Sequence, residues 1–345
     1  MDMHAVSVII PIYNGEETIR GCLESLLRQT SIPAEVIVVD NGSNDGSRRV
    51  VGDFAVQHPE LHVILGTEEI RGPSACRNRG VSASRGDILC FTDADCVADK
   101  DWIKDLLQVF GQSEVGAVAG NIYGFEPSNL IQKFLSVYTL RGLQEEMTFE
   151  RYTLTGGGFA TANLSVRREV FHTIGGFDET MRYGEDHDLC SRIMQKGYKI
   201  KYIPKAVVRH IHRRSFRGLI GQSYAAGIGH AHLLRKYGHG VLILQSSGKI
   251  YRKEPFPLRV WISIISAEKK LIALVLIGSC LPWGWLFPGF YMLHLAMSTF
   301  RKARLSGVTL GYASSVVLAG LLIVKSFFLT LGRWAGSLEF RVLCL

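Results

Sequence analysis

The sequence predicts an α/β fold, a mostly parallel sheet flanked by helices, followed by a C-terminal α-helical membrane region. Three observations carry this. Over roughly the first 120 residues, short β-branched runs alternate with helical patterns, the rhythm of a parallel sheet built from crossover units. The apolar run Ile88-Leu89-Cys90-Phe91 ends in Thr92-Asp93-Ala94-Asp95-Cys96, which sets two carboxylates at the carboxyl edge of a sheet. Open α/β sheets hold their ligands there. From Leu271 onward two apolar tracts dominate, Leu271–Phe300 and Val308–Leu331, each long enough for a helix to cross a bilayer core of about 30 Å.

Strands are expected at Val6–Ile10, Glu35–Val39, His62–Leu65 and Ile88–Phe91, with helices at Glu17–Gln29, Ser47–Gln57 and Pro73–Ser84 between them. Glu16 and Glu17 suit the positive end of a helix dipole. Ser47 is placed to cap the second helix, and Pro73 fits a first turn. A helix at Asp99–Phe110 and a strand at Val115–Ala119 extend the unit. Beyond Asn121 the pattern gives a helix at Pro127–Glu146, a break at Thr155-Gly156-Gly157-Gly158, a strand at Asn163–Val166 and helices at Arg168–Ile174 and Glu185–Lys196. Strands at Lys199–Ile203 and Ala206–His210 lead into a helix from Ser215 to Tyr237. Residues 238–260, with Ser246-Ser247-Gly248 and Pro255-Phe256-Pro257, read as a linker before the membrane region, 261–345.

The chain has 345 residues, 47% of them hydrophobic and 20% charged, enough to bury a large core. Seven scattered cysteines include no C-x-x-C pair, which speaks against zinc and a disulfide framework and for a reduced, cytosolic setting. Met1-Asp2-Met3-His4 lacks the basic region and cleavage site of a secretory signal. The net charge of +8 accompanies no nucleic-acid motif, so phosphate and lipid headgroups are the expected anionic partners, and nucleic acid is not one.

Four segments carry the chemistry. Asp93 and Asp95 repel each other unless a cation lies between them, which points to a hard divalent metal, Mg²⁺ or Mn²⁺, carrying phosphate oxygens. The exits of the first two strands, Pro11-Ile12-Tyr13-Asn14-Gly15 and Asp40-Asn41-Gly42-Ser43-Asn44-Asp45, present groups that suit a base and ribose hydroxyls, and equally suit turns. There is no G-x-G-x-x-G of the dinucleotide kind. Arg71, Arg77 and Arg79, around Asn78, suit diphosphate, or ion pairs with acids. Glu185-Asp186-His187-Asp188 opens a helix, where carboxylates favour the dipole, and His210 closes a strand with an imidazole available as a ligand.

Taken in order, these segments resemble family 2 glycosyltransferases of the GT-A fold. Val6–Gly15, Val38–Ser47, Ala75–Gly80, Gly86–Asp95, Gly156–Asn163, Gly175–Glu179 and Gly184–Arg192 carry the likeness, across about residues 5–215. The resemblance implies a catalytic domain over 1–237, with a nucleotide-binding half to about 121 and an acceptor half to 237. It further implies inverting transfer of a sugar from a nucleoside diphosphate sugar, with a divalent metal and one carboxylate base. Asp95 would bind the metal, Asp93 would contact the ribose and support the metal, and His210 would be a further ligand. Asp186 matches the general base, with Glu185 beside it. Pro11, Tyr13, Asn14, Asp40, Asn41, Arg77 and Asn78 would line the donor site. Asp40-Asn41 stands where many relatives have two acids, so the base preference is less fixed. The Gln-x-x-Arg-Trp of processive synthases is missing, which implies single transfers.

A magnesium-dependent phosphatase of the haloacid dehalogenase type also sets Asp-x-Asp after an apolar strand, with Thr or Val two residues on where this chain has Cys96-Val97, but on an early strand. Here three strand–helix units precede the motif. A membrane protein that binds nucleotide sugars without turnover is the third reading, opposed by the intact acids. The acceptor suggested by the tracts is a lipid-linked glycan or polyprenyl phosphate. The setting is the inner or plasma membrane, with catalysis on the cytoplasmic side. Pro282, Gly284, Pro288 and Gly289 make Leu271–Phe300 either a kinked span or a re-entrant hairpin. Arg301-Lys302-Ala303-Arg304 after it and Lys269-Lys270 before it both favour the cytoplasm.

Overall fold

The computed structural model describes residues 5–139, 142–154, 156–246, 249–264, 266–281, 283–284 and 286–345. The readings on Met1–His4, Thr155, Ser247-Gly248 and Pro282 lie outside the described residues. The chain forms two compact units, Met1–Glu126 with Leu140–His212, and Pro127–Thr139 with Arg213–Leu345.

The first unit begins β1 (Val6–Ile12), α1 (Ile19–Leu27), β2 (Glu35–Asp40), α2 (Ser47–Gln57), β3 (Val63–Thr67), α3 (Pro73–Ala83), β4 (Ile88–Phe91), β5 (Cys96–Ala98), α4 (Trp102–Leu107) and β6 (Val115–Gly124). After α5 (Leu130–Tyr138), which belongs to the second unit, come β7 (Met147–Phe149), β8 (Leu164–Arg167), α6 (Arg168–Thr173), α7 (Glu185–Gln195) and β9 (Lys199–His210). The sheet order is β3-β2-β1-β4-β8-β6-β9-β5, with β7 paired to β9. The first four strands are parallel, β8 lies antiparallel between β4 and β6, and β6 and β9 are parallel again.

Side-chain alternation explains why these strands read as unbroken apolar runs. Val8 and Ile10 of β1, with Ile88 and Cys90 of β4, join a core containing Ile19, Phe54 and Trp102. Ile9, Leu89 and Phe91 point the other way, into a core with Phe171, Phe177 and Ile193. A parallel sheet covered on both faces needs apolar residues at both parities.

The differences from the sequence reading have local causes. Ser47 does not cap α2. Gly46 precedes the helix, and the Ser47 hydroxyl accepts from the Gly15 amide at 2.8 Å, tying the first two strand exits together. The helix expected at Pro127–Glu146 stops at Tyr138 and is followed by β7. The two expected strands around Pro204 are one strand. The β6–β9 register jumps from Gly120↔Ile203 to Asn121↔Val207, a bulge that absorbs the imide, which has no amide hydrogen to give. Asn121 Nδ2 donates instead to the Pro204 carbonyl at 2.8 Å.

The second unit continues with α8 (Phe216–Tyr237), β10 (Leu242–Ser246), β11 (Lys249–Lys253), β12 (Val260–Ser263), α9 (Ala267–Gly278), α10 (Leu286–Leu305), α11 (Tyr312–Phe340) and β13 (Leu343–Cys344). Where a linker was expected over 238–260, the chain builds a small sheet of order β11-β10-β12-β13. Helix α8, expected in the catalytic domain, packs in this unit instead. A Cβ at Gly332 of α11 would lie 2.0 Å from the Tyr224 carbonyl oxygen of α8, so only glycine permits that approach. Among the described residues α11 is the one helix long and apolar enough to cross a bilayer. The first apolar tract is not a single kinked span but two helices, α9 and α10.

Candidate active site

Because β1, β2 and β4 run parallel, Ile12, Asp40 and Phe91 end at one edge of the sheet. Their loops carry most of the expected donor-site residues. Asn14 takes a left-handed conformation, φ 52°, in which its amide donates to Ser43 Oγ at 2.9 Å and its Oδ1 accepts from the Asn44 amide at 2.9 Å. Pro11 is half-buried beneath that turn, and Tyr13 is exposed with the Arg71 guanidinium 5.3 Å above its ring. Asp40 is buried and accepts from the Ser43 amide at 3.3 Å.

Beyond β4 the chain turns through Asp93, whose carbonyl accepts from the Cys96 amide at 3.0 Å, and enters β5. The pairing Cys96↔His210 then brings Asp95 to the end of β9. The Ile211 amide donates to the Asp95 carbonyl at 2.8 Å, and His210 Nε2 lies 3.3 Å from Asp95 Oδ1. Ligand atoms of Asp95, Cys96 and His210 fall within 4.8 Å of one another. The His212 ring centroid sits 4.8 Å from that of His210. Burial, reinforced by the Asp93 and Asp95 charges, pushes the Cys96 thiol well above its ordinary range, so it stays protonated. The carboxylate oxygen and imidazole nitrogen that remain, with Asp93 beside them, fit a divalent ion that also takes phosphate oxygens.

The third component is the start of α7. Gly184 enters it at φ +84°, a left-handed conformation that favours glycine. Glu185, Asp186 and Asp188 occupy the first turn, where the dipole favours them, and the N-cap residue Gly184 itself makes no side-chain bond. Asp188 is fully buried and accepts from Arg192 Nε at 2.8 Å, while Arg192 donates to the Ile174 carbonyl at 2.7 Å. The Asp-x-x-x-Arg spacing of that clamp was visible in the sequence.

Arg77 joins the two acidic segments. It is 3% exposed, donates to Asp93 Oδ1 at 2.9 Å and to Glu185 Oε1 at 3.3 Å, and lies 5.6 Å over the Phe177 ring. Burial alone would lower its pKa, but the Asp93, Glu185 and Asp186 charges together raise it. Glu185 moves up from the usual carboxylate range because burial and the Asp186 charge outweigh the attraction of Arg77. Asp186 accepts from the His187 amide at 2.8 Å and is only partly buried.

Three of the expected donor-site residues are engaged by the protein itself. Arg77 takes the ion-pair alternative, buried against two carboxylates. Asn78 holds the loop before α7: its Nδ2 donates to the Phe177 carbonyl at 2.9 Å and to Glu179 at 2.8 Å, and its Oδ1 accepts from the Phe177 amide. Asn41 pins the β3–α3 loop through Nδ2 to the Glu68 and Ile70 carbonyls and Oδ1 from the Gly72 amide, each at 2.9 Å. The Asn41 amide is engaged with backbone alone, and the Asn78 amide with the Phe177 backbone and the Glu179 carboxylate. The bridging role of Arg77 left no signal in the sequence, since its partners lie 16 and 108 residues away.

Comparison with known proteins identifies the family and the fold. The profile of Glycosyl transferase family 2 matches residues 7–175, and one described as the N-terminal domain of galactosyltransferase matches 141–214. The glycosyltransferase AglE of Haloferax volcanii is 27% identical over 262 residues, 75% of this chain and 80% of that protein. The glucosyl-dolichyl phosphate glucuronosyltransferase of the same organism is 30% identical over 241 residues, 64% of this chain and 75% of that one. In fold, the chain is similar to the mannosyltransferase PcManGT of Pyrobaculum calidifontis, solved with GDP-Man and Mn²⁺. That likeness has a TM-score of 0.55 at 20% identity, over 94% of this chain and 86% of that one. With its GT-A-like sheet, its strand-end acids and these matches, the chain belongs to glycosyltransferase family 2 and is a glycosyltransferase enzyme.

Proposed function

We propose that the chain transfers one sugar, with inversion, from a nucleoside diphosphate sugar to a hydroxyl or phosphate of a lipid-linked acceptor. The reaction would take place at the cytoplasmic face of the inner or plasma membrane. The observation that carries the reading is the gathering of Asp93, Asp95 and His210 with Glu185 and Asp186 in one unit, joined by the buried Arg77. A relative named for glucosyl-dolichyl phosphate and the apolar α11 support a lipid-linked acceptor.

In this reading Asp95 and His210 hold Mg²⁺ or Mn²⁺, with Asp93 in support. When bound, the ion supplies positive charge against the leaving diphosphate. The exits of β1 and β2, with Pro11, Tyr13, Asn14 and Asp40, receive the nucleoside. Asp186 takes the acceptor proton as the acceptor oxygen bonds to the anomeric carbon and the bond to the diphosphate breaks on the opposite face. A positioned base of this kind contributes about 10²–10⁴-fold. Glu185 is engaged by Arg77, which leaves Asp186 as the carboxylate available for that proton. The test is a panel of nucleotide sugars scored for thermal stabilisation with and without Mg²⁺ or Mn²⁺, followed by transfer assays. Asp95→Ala should remove both stabilisation and turnover while keeping the fold. Full activity in excess chelator would overturn the metal assignment.

A further inference from the structure

Between Lys270 and Arg301 the sequence has no Asp, Glu, Lys or Arg, and α9 and α10 divide that stretch between them. Their ends meet closely: a Cβ at Gly278 would lie 2.3 Å from the Gly284 carbonyl oxygen. At the other end the Tyr291 hydroxyl donates to the Ala267 carbonyl at 3.3 Å, and Ala267 packs with Leu295 and Ala296. The two helices therefore run antiparallel as a hairpin, with Ser279, Cys280, Leu281, Trp283 and Gly284 near its tip. Lys269 and Lys270 on one arm and Arg301, Lys302 and Arg304 on the other both lie toward its open end.

The outer surface of this hairpin is apolar. Val275, Leu276, Leu281, Trp283, Phe287 and Phe290 are all exposed, Leu276 at 63%, Trp283 at 72% and Phe290 at 64%. Exposed apolar side chains grouped in this way along both arms and the tip mark a surface that water does not cover in the working protein. The dimensions say what does. From Lys270 to Cys280 is ten residues, about 15 Å of helix, roughly half of a hydrocarbon core of about 30 Å. Neither arm qualifies as a span by length and composition.

We infer that the α9–α10 hairpin is a re-entrant wedge. It enters one leaflet of the bilayer from the side of the catalytic unit, with its tip near the midplane and its basic residues at the anionic headgroups. Unlike a crossing tract, this leaves both basic clusters on one side. The inference rests on the membrane reading above and adds a depth and a topology to it.

Cys280 provides a native probe, because it is exposed at the tip while the other six cysteines are buried. The full-length protein is reconstituted into vesicles containing anionic lipid, and flotation first establishes that it is bound. Failure to float would count against membrane association itself, a separate result. On bound protein, Cys280 should be protected at least tenfold from an impermeant maleimide on either side, relative to denatured protein, because the reactive thiolate forms only in water. A fluorophore attached to Cys280 before reconstitution should be quenched by lipid carrying a nitroxide at mid-chain. Cys280→Ser identifies the signal. Impermeant labelling from the catalytic side would mean the hairpin lies on the surface, and from the opposite side would mean it crosses. Protection from the impermeant reagent without quenching by the mid-chain nitroxide would mean another protein surface covers the tip. Each of these three results overturns the wedge.

Discussion

At the scale of single residues, the site turns on which of two adjacent carboxylates is free to accept a proton. Arg77 holds Glu185, and Asp186 keeps only a bond from the next residue's amide. Asp186→Asn should therefore slow the chemical step by about 10²–10⁴-fold with donor affinity nearly unchanged. Glu185→Gln should alter stability more than the proton transfer. Single-turnover rates and donor titrations on the two variants side by side decide it, and a near wild-type rate for Asp186→Asn would reverse the assignment. Arg77→Ala leaves two partly buried acids without their cation and should destabilise the fold by about 1–3 kcal/mol, as read by chemical denaturation. Arg77→Lys keeps the charge but not the fork that reaches two acids at once, and should fall between wild type and Ala in both stability and rate.

At the scale of elements, loops are held by amides that a sequence reading assigns to ligand contact. Asn41→Asp would recreate the paired acids of many relatives. It also takes away both hydrogens now given to the Glu68 and Ile70 carbonyls, so it should cost about 1–3 kcal/mol, seen as a lower melting temperature. An unchanged melting temperature with altered nucleotide preference would return Asn41 to the donor site. Glu35 ties β2 to β1 and to the turn before β4. Burial would raise its pKa, but bonds from the Ser7 hydroxyl and the Arg85 and Gly86 amides lower it overall. A depressed carboxyl contributes stability above its unfolded pKa of about 4.3 and loses it as the pH falls through the folded value. Melting temperature against pH should thus drop less steeply on the acid side for Glu35→Gln than for wild type.

The same scale shows what the sequence made legible. Repeated β-branched runs and Asp-x-Asp located β1, β2, β4 and the edge where they end, because local pattern alone determines those. β5 and β7 escaped notice, being strands of three residues formed by pairing with partners distant in sequence, whereas β10 and β11 pair locally and were hidden by a Ser/Gly/Pro-rich composition that also suits a linker. The backbone contacts of Asn41 and Asn78 escaped notice for a related reason. Their residue types suit both turn and ligand, and only the fold reveals which carbonyls stand opposite them.

For the whole molecule, the exposed faces of α9 and α10 and the length of α11 predict that the full chain sediments with membranes and resists extraction by high salt or carbonate. Removing residues 271–345 should not release a well-behaved soluble enzyme, because α8 would lose the glycine-lined face of α11 against which it packs. Aggregation of the truncated chain, measured by size-exclusion chromatography, is the expected result. A monodisperse truncation product that binds donor would contradict it.

The Lys325 contact to the Tyr138 carbonyl, 2.7 Å between residues 187 positions apart, has a consequence in time. At about 5–20 residues per second, a ribosome takes roughly 10–40 s to travel from α5 to its partner in α11. The strands and helices on either side of α5 can pair long before then. During synthesis α5, whose Phe134 and Leu135 pack with Leu219 and Leu318, must wait for the last helix before that small core can close.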